Sequence, residues 1–244
     1  MKAVIFSGTT EGRTLSRAVA ALGADVTVCV ATDLGAEEQG CAPGITVRAG
    51  RLDAGEMTAL LQGAALCVDA THPYATEATR NIRAAATAAG VAYHRLLRPA
   101  SDLPAGSVVL ETAAQAAAYL AAKPGNVLLA TGAKELPAFA ALDPARLYPR
   151  VLPTLAGITA CEAAGIPHRN IIAMQGPFTL ELNVALLRQF AIAAMVTKDG
   201  GAAGGFAEKA EAAARCGVQL IVLSRPEEQG ENAETILQRC RELL

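Results

Sequence analysis

Lys2-Ala3-Val4-Ile5-Phe6-Ser7-Gly8-Thr9-Thr10-Glu11-Gly12-Arg13, residues 2 to 13, decides how the rest of the chain is read. Its first five residues form an apolar run of strand length, and a segment of helical periodicity follows, ending at Leu22-Gly23. A strand, a turn with two glycines four apart and a helix make the first half of a βαβ unit. Gly8 and Gly12 let the backbone turn tightly and approach a phosphate, while the helix N-terminus offers N–H groups and a partial positive charge. Thr9 and Thr10 add hydroxyls beside Glu11. The full G-x-G-x-x-G pattern is absent, so an ordinary capped turn is the competing reading, with Arg13 as a solvated charge.

Working outward, the same alternation of apolar β-rich blocks and alanine-rich helical stretches runs through all 244 residues. It predicts two Rossmann-like α/β domains with parallel sheets flanked by helices, and the chemistry-bearing strand ends taken up below argue for an active site in a cleft between them. Strands are expected at Lys2–Phe6, Asp25–Val30, Ile45–Arg48, Ala65–Asp69 and Val91–Leu96, with helices at Gly12–Leu22, Gly55–Gln62 and Tyr74–Ala89. Gly90 is expected to cap the last of these. The prolines and glycine between Leu97 and Gly106 interrupt the pattern, which sets the domains at 1–98 and 99–244. Beyond them strands are expected at Val127–Thr131, Leu147–Val151, Asn170–Met174, Ala193–Thr197 and Gln219–Leu223. Helices are expected at Thr112–Ala122, Leu155–Ala164, Leu180–Phe190, Gly205–Cys216 and Ala233–Leu243.

Composition excludes several function classes. Hydrophobic residues make up 52%, but in short blocks, never the run of about 20 that a membrane span needs. The opening block is too short for a signal peptide, so a cytoplasmic protein is expected. With 21 basic and 23 acidic residues, 4% aromatics and no basic tract, nothing points to nucleic acid. The six cysteines are widely spaced and read as small buried hydrophobes in a reducing compartment; no metal site is expected.

Chemistry-bearing residues gather at the expected strand ends, where open α/β sheets bind ligands. Asp33 follows the second strand, where an acid can meet a ribose diol, although it reads equally as a loop residue. Asp69-Ala70-Thr71-His72-Pro73-Tyr74 ends the fourth. Pro73 suits the first turn of the following helix, and His72 is a candidate ligand or proton-transfer group, weighed against a structural histidine. In the second half Thr131-Gly132, Gln175-Gly176-Pro177-Phe178 and Val196-Thr197-Lys198-Asp199-Gly200-Gly201 stand at three more strand ends. Small residues beside a lysine or threonine there make anion or amide sites.

These segments together resemble the precorrin-6A reductase family of corrin biosynthesis. The residues that carry the resemblance are Gly8–Arg13, Asp69–Ala75, Arg95–Pro99, Ala130–Leu136, Gln175–Phe178, Val196–Lys209 and Leu223–Pro226, in family order along the chain. The resemblance implies a hydride transfer from NADH or NADPH to a ring-D double bond of precorrin-6A or its cobalt form. The wording of the blocks is closer to the cobalt branch, which favours NADH. It implies cofactor contacts from Gly8 through Arg13, from Thr71, Thr131 and Gly132, from Gly176, Pro177 and Phe178, and from Thr197, Lys198, Gly200 and Gly201. Gly200 stands where many relatives carry serine, which puts one hydroxyl contact in doubt. His72 and Lys198 are the implied catalytic groups. Arg13, His72, Tyr74, Arg98 and Arg150 are the implied contacts to a polycarboxylate macrocycle, arginine suiting bidentate carboxylate pairing.

Two other readings compete with this one. Tyr119 and Lys123 give the Y-x-x-x-K spacing of short-chain dehydrogenases, with Ser107 upstream, but Lys123 abuts Pro124-Gly125 and the tyrosine comes too early for one long Rossmann domain. A non-catalytic dinucleotide sensor fits the composition as well. It differs in binding a nicotinamide dinucleotide without consuming it. Oligomeric state is not read from the sequence.

Overall fold

The computed structural model describes residues 1–97, 101–201, 204–226 and 229–244. The chain divides into two units, Met1–Arg98 with Pro226–Leu244, and Pro99–Arg225.

In the first unit β1 (Lys2–Phe6), β2 (Asp25–Val30), β3 (Ile45–Ala49), β4 (Leu66–Asp69) and β5 (Tyr93–Arg95) form, among the described residues, a five-stranded sheet in the order β3-β2-β1-β4-β5. Every pairing is parallel. The middle strands β1 and β4 are buried along nearly their whole length because helices cover both faces of the sheet there. Ala3 and Ile5 of β1 join a core with Leu15 and Val19, from α1 (Thr10–Ala21). Val4 and Phe6 point the other way, into a core with Met57 and Leu61 of α3 (Ala54–Leu61) and Ile82 of α4 (Thr76–Ala89). That alternation is the two-residue period of a strand made visible in packing. Asp53 caps α3 in a reciprocal box with Glu56, and Gly90 closes α4 in the left-handed conformation.

The second unit carries β6 (Val108–Leu110), β7 (Asn126–Ala130), β8 (Leu147–Val151), β9 (Ile172–Ala173), β10 (Ile192–Lys198) and β11 (Gln219–Leu223) in the order β6-β11-β10-β7-β8-β9, again parallel. Val127 and Leu129 enter one core with α5 (Ala113–Ala121) and α6 (Leu155–Ala163), while Leu128 enters the other with α7 (Leu180–Gln189) and α8 (Phe206–Cys216).

Four expectations are corrected. The last helix, α9 (Ala233–Leu243), belongs to the first unit and not to a domain running from 99 to 244. Its Ile236 and Cys240 are fully buried in the core that contains Ala3 and Ile5. A short helix, α2 (Asp33–Gln39), occupies the stretch read as a loop, with Thr32 as its N-cap and Asp33 exposed in its first turn. Pro73 does not start α4; the Ala75 N–H donates to the His72 carbonyl at 2.8 Å, so a turn intervenes and the helix begins at Thr76. All six cysteines are free, but Cys41 is exposed and Cys216 half-buried, so only the other four are core residues.

Candidate active site

Each sheet has one place where the strand order reverses, and there the chain leaves two neighbouring strands in opposite directions and opens a crevice at their carboxyl ends. In the first unit this point lies between β1 and β4. Their exits are Ser7-Gly8 and Ala70-Thr71, which the Thr9 hydroxyl links by donating to the Ala70 carbonyl at 2.9 Å. Thr9 also caps α1, accepting from the Gly12 N–H at 3.0 Å.

The two glycines have distinct jobs. Gly8 has φ +115°, a conformation that disfavours side chains, and nothing lies within 4 Å of where its Cβ would be, so its backbone is open to an approaching group. Gly12 is buried, and a Cβ there would collide with Ser7 Oγ and sit 3.0 Å from Ala70 Cβ. Ser7 Oγ is buried without a hydrogen-bond partner among the described residues. Thr10 is exposed at the start of α1. Arg13 donates from Nη1 to the Glu38 carbonyl at 2.7 Å, and with Gly8, Thr9, Thr10, Gly35 and Gln39 it lines a small concavity beside α2.

At the other exit Thr71 is not a free ligand group. Its N–H and hydroxyl both donate to Asp69 Oδ1, at 3.0 and 2.7 Å. Arg95 Nη1 donates to the same oxygen at 2.8 Å and to the Thr71 carbonyl at 3.0 Å, and Tyr93 donates to Asp69 Oδ2 at 3.0 Å. Asp69 and Arg95 are both buried. This buried ion pair was not singled out from the sequence, since its members are 26 positions apart. His72 and Tyr74 are half-buried in the turn just above it, their rings 5.5 Å apart. His94, by contrast, is committed to Glu231, Nδ1 to Oε2 at 2.6 Å.

A groove of about 860 Å³ runs along α4, lined by Thr76, Thr79, Arg80, Arg83 and Thr87, with Arg95 nearby. Sequence reasoning missed it, although the spacing of these residues on one helix face carries the signal.

In the second unit the order reverses between β7 and β10, whose exits are Thr131-Gly132 and Lys198. Thr131 Oγ1 is buried without a hydrogen-bond partner among the described residues. Lys198 Nζ is 2.7 Å from Glu135 Oε1 in the segment after Gly132, so the two exits are joined by a partly exposed ion pair. Thr197 is fully buried, its hydroxyl donating to the Lys198 carbonyl at 3.2 Å. Gly200 and Gly201 are buried beside Asp199. Asp199 accepts from the Ser101 hydroxyl at 2.7 Å and from the Gly201 N–H at 3.0 Å, and it pairs with Arg225 at 3.0 Å.

The exits of β8 and β9 bring up a further set. Gly176 and Pro177 are joined by a cis peptide bond, and the Phe178 ring lies 4.1 Å below the guanidinium of Arg150, near the end of β8. The expected contact Arg98 lies outside the described residues.

With that geometry in hand, the comparisons with known proteins are specific. The family model described as precorrin-6x reductase CbiJ/CobK matches residues 2–241. The chain is 37% identical over 230 residues to the cobalt-precorrin-6A reductase of Priestia megaterium, covering 91% of this chain and 90% of that one. To the cobalt-precorrin-6A reductase of Methanothermobacter thermautotrophicus it is 34% identical over 237 residues, covering 93% and 77%. A solved structure, CobK precorrin-6A reductase, is similar over 99% of this chain and 97% of that one, with a TM-score of 0.80 and 25% identity.

Proposed function

The chain belongs to the precorrin-6x reductase family, and from that premise we propose that it reduces a ring-D carbon–carbon double bond of precorrin-6A, or of its cobalt form, to give the corresponding precorrin-6B. A reduced nicotinamide dinucleotide supplies the hydride when bound; the chain's task is to bind, orient and balance charge. The observation that carries this reading is that the glycine-bearing exit of β1 and the His72 turn after β4 flank the reversal point of one sheet.

The residues at that point fit a dinucleotide phosphate. Gly8 keeps its backbone open, Ser7 Oγ is a buried hydroxyl in want of a partner, and the first turn of α1 presents N–H groups from Thr10 onward. Glu11 and Arg13 border it. In the second unit Thr131, Gly132, Thr197, Gly200 and Gly201 stand in the same relation to their own sheet, and Gly176, Pro177 and Phe178 wall its β9 side. His72 and Lys198 are the groups proposed to meet the reacting ligands, Lys198 oriented by Glu135. Tyr74, Arg150 and the α4 cations Arg80 and Arg83 suit the carboxylates of a corrinoid. The cobalt form is favoured by the motif wording and by the names of the relatives, and NADH by the resemblance to that branch alone. A cytoplasmic setting is part of the same reading. No described helix is long and apolar enough to cross a membrane.

The test supplies purified protein with NADH or NADPH and, separately, with precorrin-6A and cobalt-precorrin-6A. Loss of the reduced nicotinamide's near-ultraviolet absorbance is expected only when a macrocycle is present. A protein that binds the dinucleotide and never consumes it with either macrocycle is a sensor, and the reductase reading fails.

A further inference from the structure

The turn that carries His72 runs from Ala70 to Ala75, between the end of β4 and the start of α4, and it is pinned along its length. The Ala70 N–H donates to the Phe6 carbonyl at 2.8 Å, and the Ala70 carbonyl accepts from the Thr9 hydroxyl. Thr71 uses all three of its polar groups: its N–H and hydroxyl donate to Asp69 Oδ1, and its carbonyl accepts from Arg95 Nη1. Its hydroxyl oxygen also lies 3.4 Å from that of Thr79, on α4. Pro73, on the other side of His72, is buried. The Ala75 N–H closes the turn on the His72 carbonyl, and the Tyr74 N–H donates to His72 Nδ1 at 3.4 Å. A ring nitrogen that accepts carries no proton, so the imidazole proton of neutral His72 is on Nε2.

The ion pair beneath the turn does more than join two strands. Asp69 and Arg95 are register partners on β4 and β5, a position where two apolar side chains would pack without any desolvation of charge. What the charges add is direction. One carboxylate oxygen takes both donors of Thr71, while one guanidinium nitrogen reaches that same oxygen, the Asp69 carbonyl at 3.2 Å and the Thr71 carbonyl. Both groups are buried, and Tyr93 holds the second carboxylate oxygen, so the carboxylate is fixed in one orientation.

We propose that Asp69 and Arg95 are positioning residues: through Thr71 they hold the turn that presents His72 to the reacting ligands as a hydrogen-bond donor from Nε2. That His72 meets those ligands rests on the reductase reading. That the pair sets the place and the tautomer of the ring does not.

The experiment reads the ring and the reaction separately. Long-range proton–nitrogen NMR of the full chain at about pH 8, above the ordinary histidine range, reports which nitrogen of each ring is protonated, and His72→Gln identifies the signal. Wild-type His72 is expected with its proton on Nε2. The double variant Asp69→Leu, Arg95→Met replaces the pair by apolar side chains and strands no charge, so it should keep a cooperative melt. It should nevertheless give a mixture of His72 tautomers, and kcat with cobalt-precorrin-6A should fall roughly tenfold or more with a smaller change in KM. Thr71→Val, which removes the hydroxyl alone, should do the same more mildly and decides the matter if the double variant does not fold. Tyr93→Phe takes a hydrogen bond from the same carboxylate without touching the turn, and should keep the His72 signal and kcat. A wild-type proton on Nδ1 overturns the proposal. So does a folded double variant, or Thr71→Val, with the wild-type tautomer or the wild-type kcat, and so does a Tyr93→Phe that behaves like either of them. A His72 signal that depends on the pair, in a protein that reduces neither macrocycle, sinks the reductase reading and leaves the positioning standing.

Discussion

Asp69 has no exposure to solvent, and both of its oxygens are taken, Oδ1 by Arg95 and Thr71 and Oδ2 by Tyr93. Burial, and then the Asp69 charge, push the Tyr93 hydroxyl far up, so that it stays a donor. Replacing Arg95 by Met leaves a buried carboxylate without its counter-charge, which should destabilise the protein by about 3–5 kcal/mol in urea titrations. An Asp69→Asn, Arg95→Met double variant should recover part of that loss, because the stranded charge is gone. The two glycines of the β1 exit separate fold from function in the same way. Gly12→Ala presses a methyl group on Ser7 and Ala70 and should cost about 1–3 kcal/mol of stability. Gly8→Val has space around it, but its backbone is strained at φ +115°. It should lose dinucleotide affinity well beyond its loss of melting temperature, and unchanged affinity by titration removes Gly8 from the binding site. At this scale the sequence showed which residue types collect at strand ends but not their partners. Thr71 and Lys198 read as free ligand groups, whereas Arg95 lies 24 positions from the one and Glu135 63 from the other.

Among elements, the mostly buried strands were the easiest to read, because a run of five or six β-favouring residues bounded by glycine, proline or polar turn residues has few other uses. β1, β2, β8 and β11 stand where their residues predicted. Among the strands and α-helices, two escaped. α2 is short and begins in a polar stretch, so its hydrophobic periodicity never rises above that of a loop. β6 spans three residues at the edge of its sheet, behind a proline-rich segment. α9 was found as a helix, and only its address was misjudged. Its place depends on Glu231, just before it, which accepts from the Leu97 N–H at 2.9 Å, donates its own N–H to the Arg95 carbonyl at 2.8 Å, and pairs through its side chain with His94 and Arg239. Burial opposes ionisation of Glu231, but the hydrogen bonds from Arg239 and His94 outweigh it and hold the carboxyl below its ordinary range. The contribution of Glu231 is therefore present above the ordinary glutamate range and fades as the pH falls through the folded value. Ile236→Ala, in the core beneath α9, should cost about 2–5 kcal/mol, read as a lowered urea midpoint.

For the molecule as a whole, the consequence is an asymmetry between the units that neither composition nor motif order revealed. The second unit is one unbroken length of chain, Pro99–Arg225, with its complete sheet and two cores drawn from its own residues. The first is assembled from two pieces, and a face of its sheet is covered by a helix that arrives only after the second unit has been made. Residues 1–98 alone therefore expose the apolar surface that Ile236 and Cys240 cover, and a domain of that size has little stability to spare. Expressed alone, residues 99–225 should give a sharp, cooperative thermal transition. Residues 1–98 should aggregate or bind hydrophobic dyes, and fusing residues 226–244 through a glycine-serine linker should restore a cooperative transition. A cooperative, dye-free 1–98 fragment would show that α9 is an accessory to the first core and not one of its walls.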